Sequence, residues 1–225
     1  MPQPLNRRQM AWCAAQDIPE GFCVNLGIGV PTLIADCMPA GREILLHSEN
    51  GILGMGPKPP EGKIDLDLIN AGKEPVTMLP GGAIFHHNDA FVMIRGGHID
   101  LVVLGAFQVS TEGDLANWSI DDPSMPPAVG GAMDLAVGAK RIWVMMELLT
   151  RTGESRLVET CSYPLTAAGV TQRVYTNYGV FEPAGKAFRL VARTEGCQIA
   201  ELKDMAQVPI EVVPDCPVLA PPRFN

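Results

Sequence analysis

The sequence has little charge and few aromatic side chains, and the charge it has leans acidic. Charged residues make up 19% and aromatic residues 6% of 225 positions, with Lys plus Arg at 17 against 25 for Asp plus Glu, a net charge of −8. A nucleic-acid or anionic-membrane surface needs clustered positive charge, so this balance argues against both. No apolar run approaches the roughly 18 residues of a membrane span. Residues 1–6 carry no apolar stretch of the signal-peptide kind, which makes the cytoplasm the expected location. Cys13, Cys23, Cys37, Cys161, Cys197 and Cys216 form no CxxC pair and no Cys–His group with zinc spacing. They read as reduced, buried or incidental thiols. A GxSxG elbow is missing and no Cys sits beside a His, which argues against serine- or cysteine-triad hydrolysis. His86-His87 lacks a third, carboxylate ligand, and adjacent residues do not share a helix face, so no metal is expected there.

What is present is a sizeable apolar fraction, 47%, enough for one α/β domain. The expected organisation is a domain over 1–213 and a proline-rich tail over 214–225. Glycine and proline number 23 and 20 and are scattered among apolar runs, so they punctuate turns. The pattern predicts a helix from Asn6 to about Ile18, a strand at 22–26, a short helix at 31–38 and a strand at 43–47. The stretch 54–63 reads as an irregular loop. Beyond it come a strand at 76–79, a helix at 89–95, a strong strand at 99–107 and a loop over 110–129. A helix at 131–139 and a strand at 141–146 follow. The segments 173–181 and 187–192 face each other as a hairpin, and 198–205 is a last helix. Strands alternating with helices indicate an open, mostly parallel sheet covered on both faces, with ligands at the carboxyl ends of the strands.

The glycine-bearing segments at those strand ends are the candidate site. Gly27-Ile28-Gly29 follows a strand, but Thr32 stands where a dinucleotide fingerprint needs its third glycine, and Pro31 breaks the spacing. Its glycines either make a tight turn or let the backbone approach a ligand. Ser48-Glu49-Asn50-Gly51 is more informative. An apolar strand delivers Glu49 to a sharp Asn-Gly turn, which holds a partly desolvated carboxylate on a rigid support, as a nucleophile or base requires. The apolar run 52–57 is read as a flexible loop able to fold over a ligand and exclude water. Gly130-Gly131 opens a helix and either simply starts it or offers amides to an oxyanion or phosphate. The loop 114–118 either contacts a ligand through Asn117 or packs Trp118 over the core.

The stretch Leu46-His47-Ser48-Glu49-Asn50-Gly51-Ile52-Leu53-Gly54 resembles the signature of the B subunit of family I CoA-transferases of the 3-oxoacid type. Residues 25–31, 68–73, 105–118 and 130–135 match the same family, and the likeness runs from about residue 5 to about 205. The loop at 121–124 departs from the family pattern by one extra residue, and the 214–225 tail matches nothing in it. The resemblance implies an α/β/α open sheet, with the catalytic glutamate on Glu49, the neighbouring asparagine on Asn25 and the oxyanion amide on Gly130 or Gly131. Gly27, Gly29, Asn50, Gly51, Gln108 and Asn117 become the candidate substrate- or CoA-binding positions. It further implies covalent, ping-pong transfer through a glutamyl-CoA thioester, with no metal or redox cofactor, and a partner A subunit in a heterodimer or heterotetramer. Residues 67–72 and 85–98 look closest to the enzymes that move CoA from succinyl-CoA to 3-oxoadipate. Acetoacetate is the near alternative acceptor. An acyl-CoA hydrolase, or a non-catalytic sensor on the same sheet, are the readings from other classes.

Overall fold

The computed structural model describes residues 3–122, 124, 127 and 129–224. The first helix, α1 (Arg7–Asp17), is set by a reciprocal cap: the Asn6 side chain accepts from the Gln9 amide at 2.9 Å, and the Gln9 side chain accepts from the Asn6 amide at 3.0 Å. Its buried residues Met10, Ala11, Ala14 and Ala15 lie against the sheet. Next come β1 (Cys23–Leu26), a 3-10 helix (Val30–Cys37), β2 (Leu45–Ser48), β3 (Ile52–Met55) and β4 (Met78–Ile84). After α2 (His87–Arg95) the chain forms β5 (Leu101–Leu104), β6 (Gln108–Ser110), β7 (Leu115–Ala116), α3 (Ala132–Gly138), β8 (Ile142–Met145) and β9 (Leu157–Val158). It ends with β10 (Thr171–Tyr175), β11 (Gly179–Pro183), β12 (Phe188–Thr194), α4 (Ile199–Ala206), β13 (Ile210–Val212) and β14 (Val218–Leu219).

The expected α/β class holds. Strands β2, β1, β5, β8 and β10 run parallel side by side. Antiparallel strands extend them on both sides, β3 and β4 beyond β2, and β11 and β12 beyond β10. Every residue of β5 and β8 is buried, as a strand covered on both faces must be. Leu101 and Val103 face the layer of α1 and the 3-10 helix, while Val102 and Leu104 face the layer of α2, α3 and α4. The period-2 alternation of the strand therefore feeds two cores.

Several elements differ from the sequence reading. Residues 52–55 are no loop: they form β3, antiparallel to both β2 and β4 and largely buried. The glycines that look like loop markers are what let these strands cross closely. Gly54 has φ +80°, and a Cβ on it would stand 2.9 Å from the Gly82 Cα in β4. Residues 30–37 wind as a 3-10 helix, entered from Gly29 at φ 99°. The 173–181 segment breaks into β10 and β11 at a turn held by the Thr176 hydroxyl, which donates to the Gly179 carbonyl at 2.8 Å and accepts from the Tyr178 and Gly179 amides. That turn carries neither glycine nor proline at its centre, so the pattern gives no signal for it. The stretch 110–129 contains β7, which pairs with β6 in a small second sheet together with β9. Part of the 121–124 loop lies outside the described residues. In the 214–225 segment, Val218 and Leu219 pair with β12, and Phe224 lies under the Arg8 guanidinium. Among the described residues no helix is long and apolar enough to cross a membrane.

Candidate active site

Because β1, β2, β5 and β8 are parallel, their carboxyl ends open on one side of the sheet, and the exit loops meet there. They line a cavity of about 570 Å³ with Gly27, Ile28, Glu49, Ala106, Phe107, Met146 and Glu147, joined by Ala71, Asn117, Gly130 and Gly131 from other loops. This is where an open α/β sheet holds its ligand.

Glu49 is the first residue beyond β2, in a turn closed by the Gly51 amide donating to the Ser48 carbonyl at 2.9 Å. Gly51 takes φ +109°, and a Cβ there would fall on the Phe85 carbonyl oxygen, so the turn admits only glycine. The loop 68–73 is pinned beneath it. Asn50 Nδ2 donates to the Ile69 carbonyl at 2.7 Å, and the Ala71 amide donates to Ser48 Oγ at 3.0 Å. The Glu49 side chain is half-buried, and burial pushes its carboxyl above the usual glutamate range, with nearby His87 pulling it partly back. Its Oε2 lies against Gly131: a Cβ there would stand 2.9 Å from that oxygen and 2.9 Å from Phe91 Cζ. Gly131, with φ −85°, is therefore kept small by the carboxylate and not by its backbone.

The other sequence candidates divide in two. Gly27, Asn117, Gly130 and Gly131 line the cavity with Glu49; Gly29, Asn50, Gly51, Gln108 and Asn25 do not. Asn117 is itself held, its Nδ2 donating to the Gly105 carbonyl at 3.2 Å and its Oδ1 accepting from Thr166 Oγ1 at 2.6 Å. Gln108 turns to the 162–163 backbone, its Oε1 accepting from the Ser162 amide at 2.8 Å. Trp118 donates from Nε1 to the Leu165 carbonyl at 3.1 Å, which ties two loops together.

Asn25 is 1% exposed and lies in the sheet opposite His47. Its Nδ2 donates to His47 Nδ1 at 3.0 Å. An amide nitrogen cannot accept, so the His47 proton sits on Nε2, which has no partner among the described residues. Burial holds this imidazole neutral, lowering its pKa to about 4. Phe85 stacks on it with ring centroids 6.1 Å apart.

Sequence reasoning missed His47, Phe85, His87 and Phe91. The last three reach the site because β4 returns antiparallel to β3 and sets the start of α2 beside the Glu49 turn. There His87 Nδ1 donates to the Glu49 carbonyl at 3.0 Å. His86 instead caps α2, its Nδ1 accepting from the Asn88 amide at 3.2 Å, so the histidine pair does two separate structural jobs. Arg7, Arg151 and Arg156 also line the cavity. The thiols are poor nucleophiles, since burial pushes Cys13 up to about 12 and Cys23 and Cys161 up to about 11.

A family model described as coenzyme A transferase matches residues 8–204. Among curated proteins, the chain is 53% identical over 206 residues to the B subunit of the 3-oxoadipate CoA-transferase of Pseudomonas putida, covering 92% of this chain and 96% of that one. It is 48% identical over 199 residues to the B subunit of the succinyl-CoA:3-ketoacid coenzyme A transferase of Helicobacter pylori, covering 88% and 95%. In fold it matches an acyl-CoA transferase of E. coli O157:H7, solved as a thioester complex with CoA, at a TM-score of 0.70 and 18% identity, over 98% of this chain and 44% of that one. The family match spans all five parallel strands from β2 to β10 and the Glu49 turn: the chain belongs to the coenzyme A transferase family.

Proposed function

We propose that this chain is the B subunit of a two-chain CoA-transferase that moves CoA from succinyl-CoA to a 3-oxo acid, 3-oxoadipate before acetoacetate. The observation that carries the reading is the Glu49 carboxylate, half-desolvated on a rigid strand-end turn, opening into the strand-end cavity against Gly131. Names of relatives at 53% and 48% identity support the substrate class and the two-chain organisation.

In this reading a Glu49 oxygen attacks the thioester carbonyl, and collapse of the tetrahedral adduct expels CoA thiolate and leaves a mixed acyl–glutamyl anhydride. The thiolate then attacks the glutamyl carbonyl and expels the first carboxylic acid, giving a glutamyl-CoA thioester. The acceptor's carboxylate runs the same two steps in reverse. Negative charge develops on the attacked carbonyl oxygens, so backbone amides at 130–131 beside the carboxylate are the candidate oxyanion donors. The raised affinity of Glu49 for protons marks a carboxylate poorly solvated by water and therefore more reactive once ionised. Asn25 acts indirectly, by fixing the His47 tautomer beneath the turn. Gly27 and Asn117 line the cavity, while Asn50 and Gly51 hold the Glu49 turn in place. The substrate is the coenzyme A thioester, and the route draws on no metal or redox group. Free thiols at all six cysteines fit a reducing compartment such as the cytoplasm.

The test is steady-state transfer by the chain purified with its A subunit, using succinyl-CoA with 3-oxoadipate or acetoacetate. Glu49→Gln is expected to lower turnover by about 10⁴-fold or more with the thermal midpoint held. A variant that retains a tenth of wild-type activity would refute the nucleophile. CoA release into water without an acceptor would point to the hydrolase reading instead.

A further inference from the structure

The cavity beside Glu49 is more basic than the chain around it. Its lining includes Arg7, Arg151 and Arg156, and its acids are Glu49 and Glu147, in a protein with a net charge of −8. The Arg7 guanidinium is 3.5 Å from Glu147. Arg151 and Arg156 have no acidic partner among the described residues.

Two features indicate that these cations are placed for a ligand. The loop carrying Arg151 and Arg156 leaves the carboxyl end of β8 and is closed by its own backbone. The Thr150 amide donates to the Glu154 carbonyl at 2.8 Å, and the Arg156 amide donates to the Leu148 carbonyl at 2.9 Å. Both side chains thus project from a fixed base. Arg7, for its part, stands in the first turn of α1, where the helix dipole disfavours a cation, and that turn holds no acidic residue; its partner is Glu147 of the cavity lining. Helix stability does not account for it.

A guanidinium fork matches a carboxylate through two parallel donors, and does so best where water is partly excluded. A cavity of about 570 Å³ suits an acyl group and the end of a pantetheine arm, with the nucleotide of CoA left outside.

We propose that Arg151 and Arg156, with Arg7 held to Glu147 at the edge, form a carboxylate subsite that takes the remote carboxylate of a dicarboxylic acyl group while the other end reacts at Glu49. The inference rests on the reading of Glu49 as nucleophile and deepens it to the residues that read the second carboxylate of a succinyl or 3-oxoadipyl group. The phosphates of CoA are the other source of the same anionic chemistry, and the experiment separates the two.

The two-chain enzyme is assayed with succinyl-CoA and butyryl-CoA, donors of equal carbon number that differ in the terminal carboxylate and share the whole of CoA. In Arg151→Met/Arg156→Met the ratio of kcat/KM for succinyl-CoA to that for butyryl-CoA is expected to fall about 100-fold, as when a site built for a charged group loses its partner. Arg156→Lys restores part of the ratio. Inhibition constants for free succinate and butyrate show the same split without any turnover of the monocarboxylic donor. An unchanged ratio, whether both donors slow equally because the arginines hold CoA phosphates or neither slows, overturns the subsite. Wild-type enzyme that transfers CoA from neither donor overturns the nucleophile reading, and the subsite with it.

Discussion

His47 stays neutral through the ordinary imidazole range where it sits, and that gives stability a pH dependence. In the unfolded chain it takes up a proton as pH falls through its ordinary 6.5, whereas the folded protein resists until about 4. The unfolded state therefore binds more protons between those values. The contribution of His47 to stability is fully present above pH 6.5 and is lost as pH falls toward 4, by on the order of 3 kcal/mol for this wholly buried ring. Glu49 acts with the opposite sign: its raised pKa means the folded state takes the proton first, and its contribution is lost as pH rises through the carboxylate range. Urea unfolding at pH 5 and 7.5 checks this. The wild type should lose more stability on acidification than His47→Gln, and equal losses would assign the effect to another group. At this scale the sequence is legible where chemistry is local. Glu49 at a strand end before Asn50-Gly51 is readable because the unbroken run 46–54 specifies it. Gln108 and Asn25 are site candidates through the family resemblance, and a motif match carries no side-chain direction: here they meet a neighbouring loop and a neighbouring strand.

Among the elements, β3 and β4 depart furthest from their sequence pattern. Gly54, Gly81 and Gly82 make these strands resemble loop in sequence, yet Gly54 and Gly82 are what permit the close pairing that carries Phe85, His87 and Phe91 to the Glu49 turn. Long-range pairing of this kind leaves no periodic trace. The parallel strands β1, β5 and β8 are legible because burial on both faces writes a continuous apolar run. Two glycines of the site separate geometry from chemistry. Gly51→Ala meets both a positive φ and the Phe85 carbonyl, so it should cost at least about 2 kcal/mol of stability. Gly131→Ala keeps an ordinary backbone conformation and instead pushes the Glu49 carboxylate, so it should lower turnover about 100-fold with little change in stability. Thermal melts and kcat for the two variants should dissociate in this way. A Gly131→Ala enzyme with wild-type kcat would show that the carboxylate position does not matter.

For the whole molecule, the exposed apolar side chains are informative. Leu79 and Ile84 on the edge strand β4 are 42% and 71% exposed, and Leu45 on β2, two strands in, is 42% exposed. An uncovered edge strand with apolar residues is a surface that a partner usually covers. The chain alone is therefore expected to transfer no CoA and to self-associate on size exclusion, with both changed by adding the A subunit; full activity of the isolated chain would contradict the two-chain account. In the proposed reaction CoA becomes covalently attached at one carboxylate, Glu49. Incubating the two-chain enzyme with succinyl-CoA and no acceptor, then adding borohydride, tests it most directly, because borohydride reduces a thioester to the alcohol and leaves a carboxylate untouched. Mass spectrometry of the peptide spanning residues 43–58 should show Glu49 converted to its alcohol only when acyl-CoA was present, with activity lost in proportion. An unmodified Glu49 in enzyme inactivated by that same treatment would contradict the account.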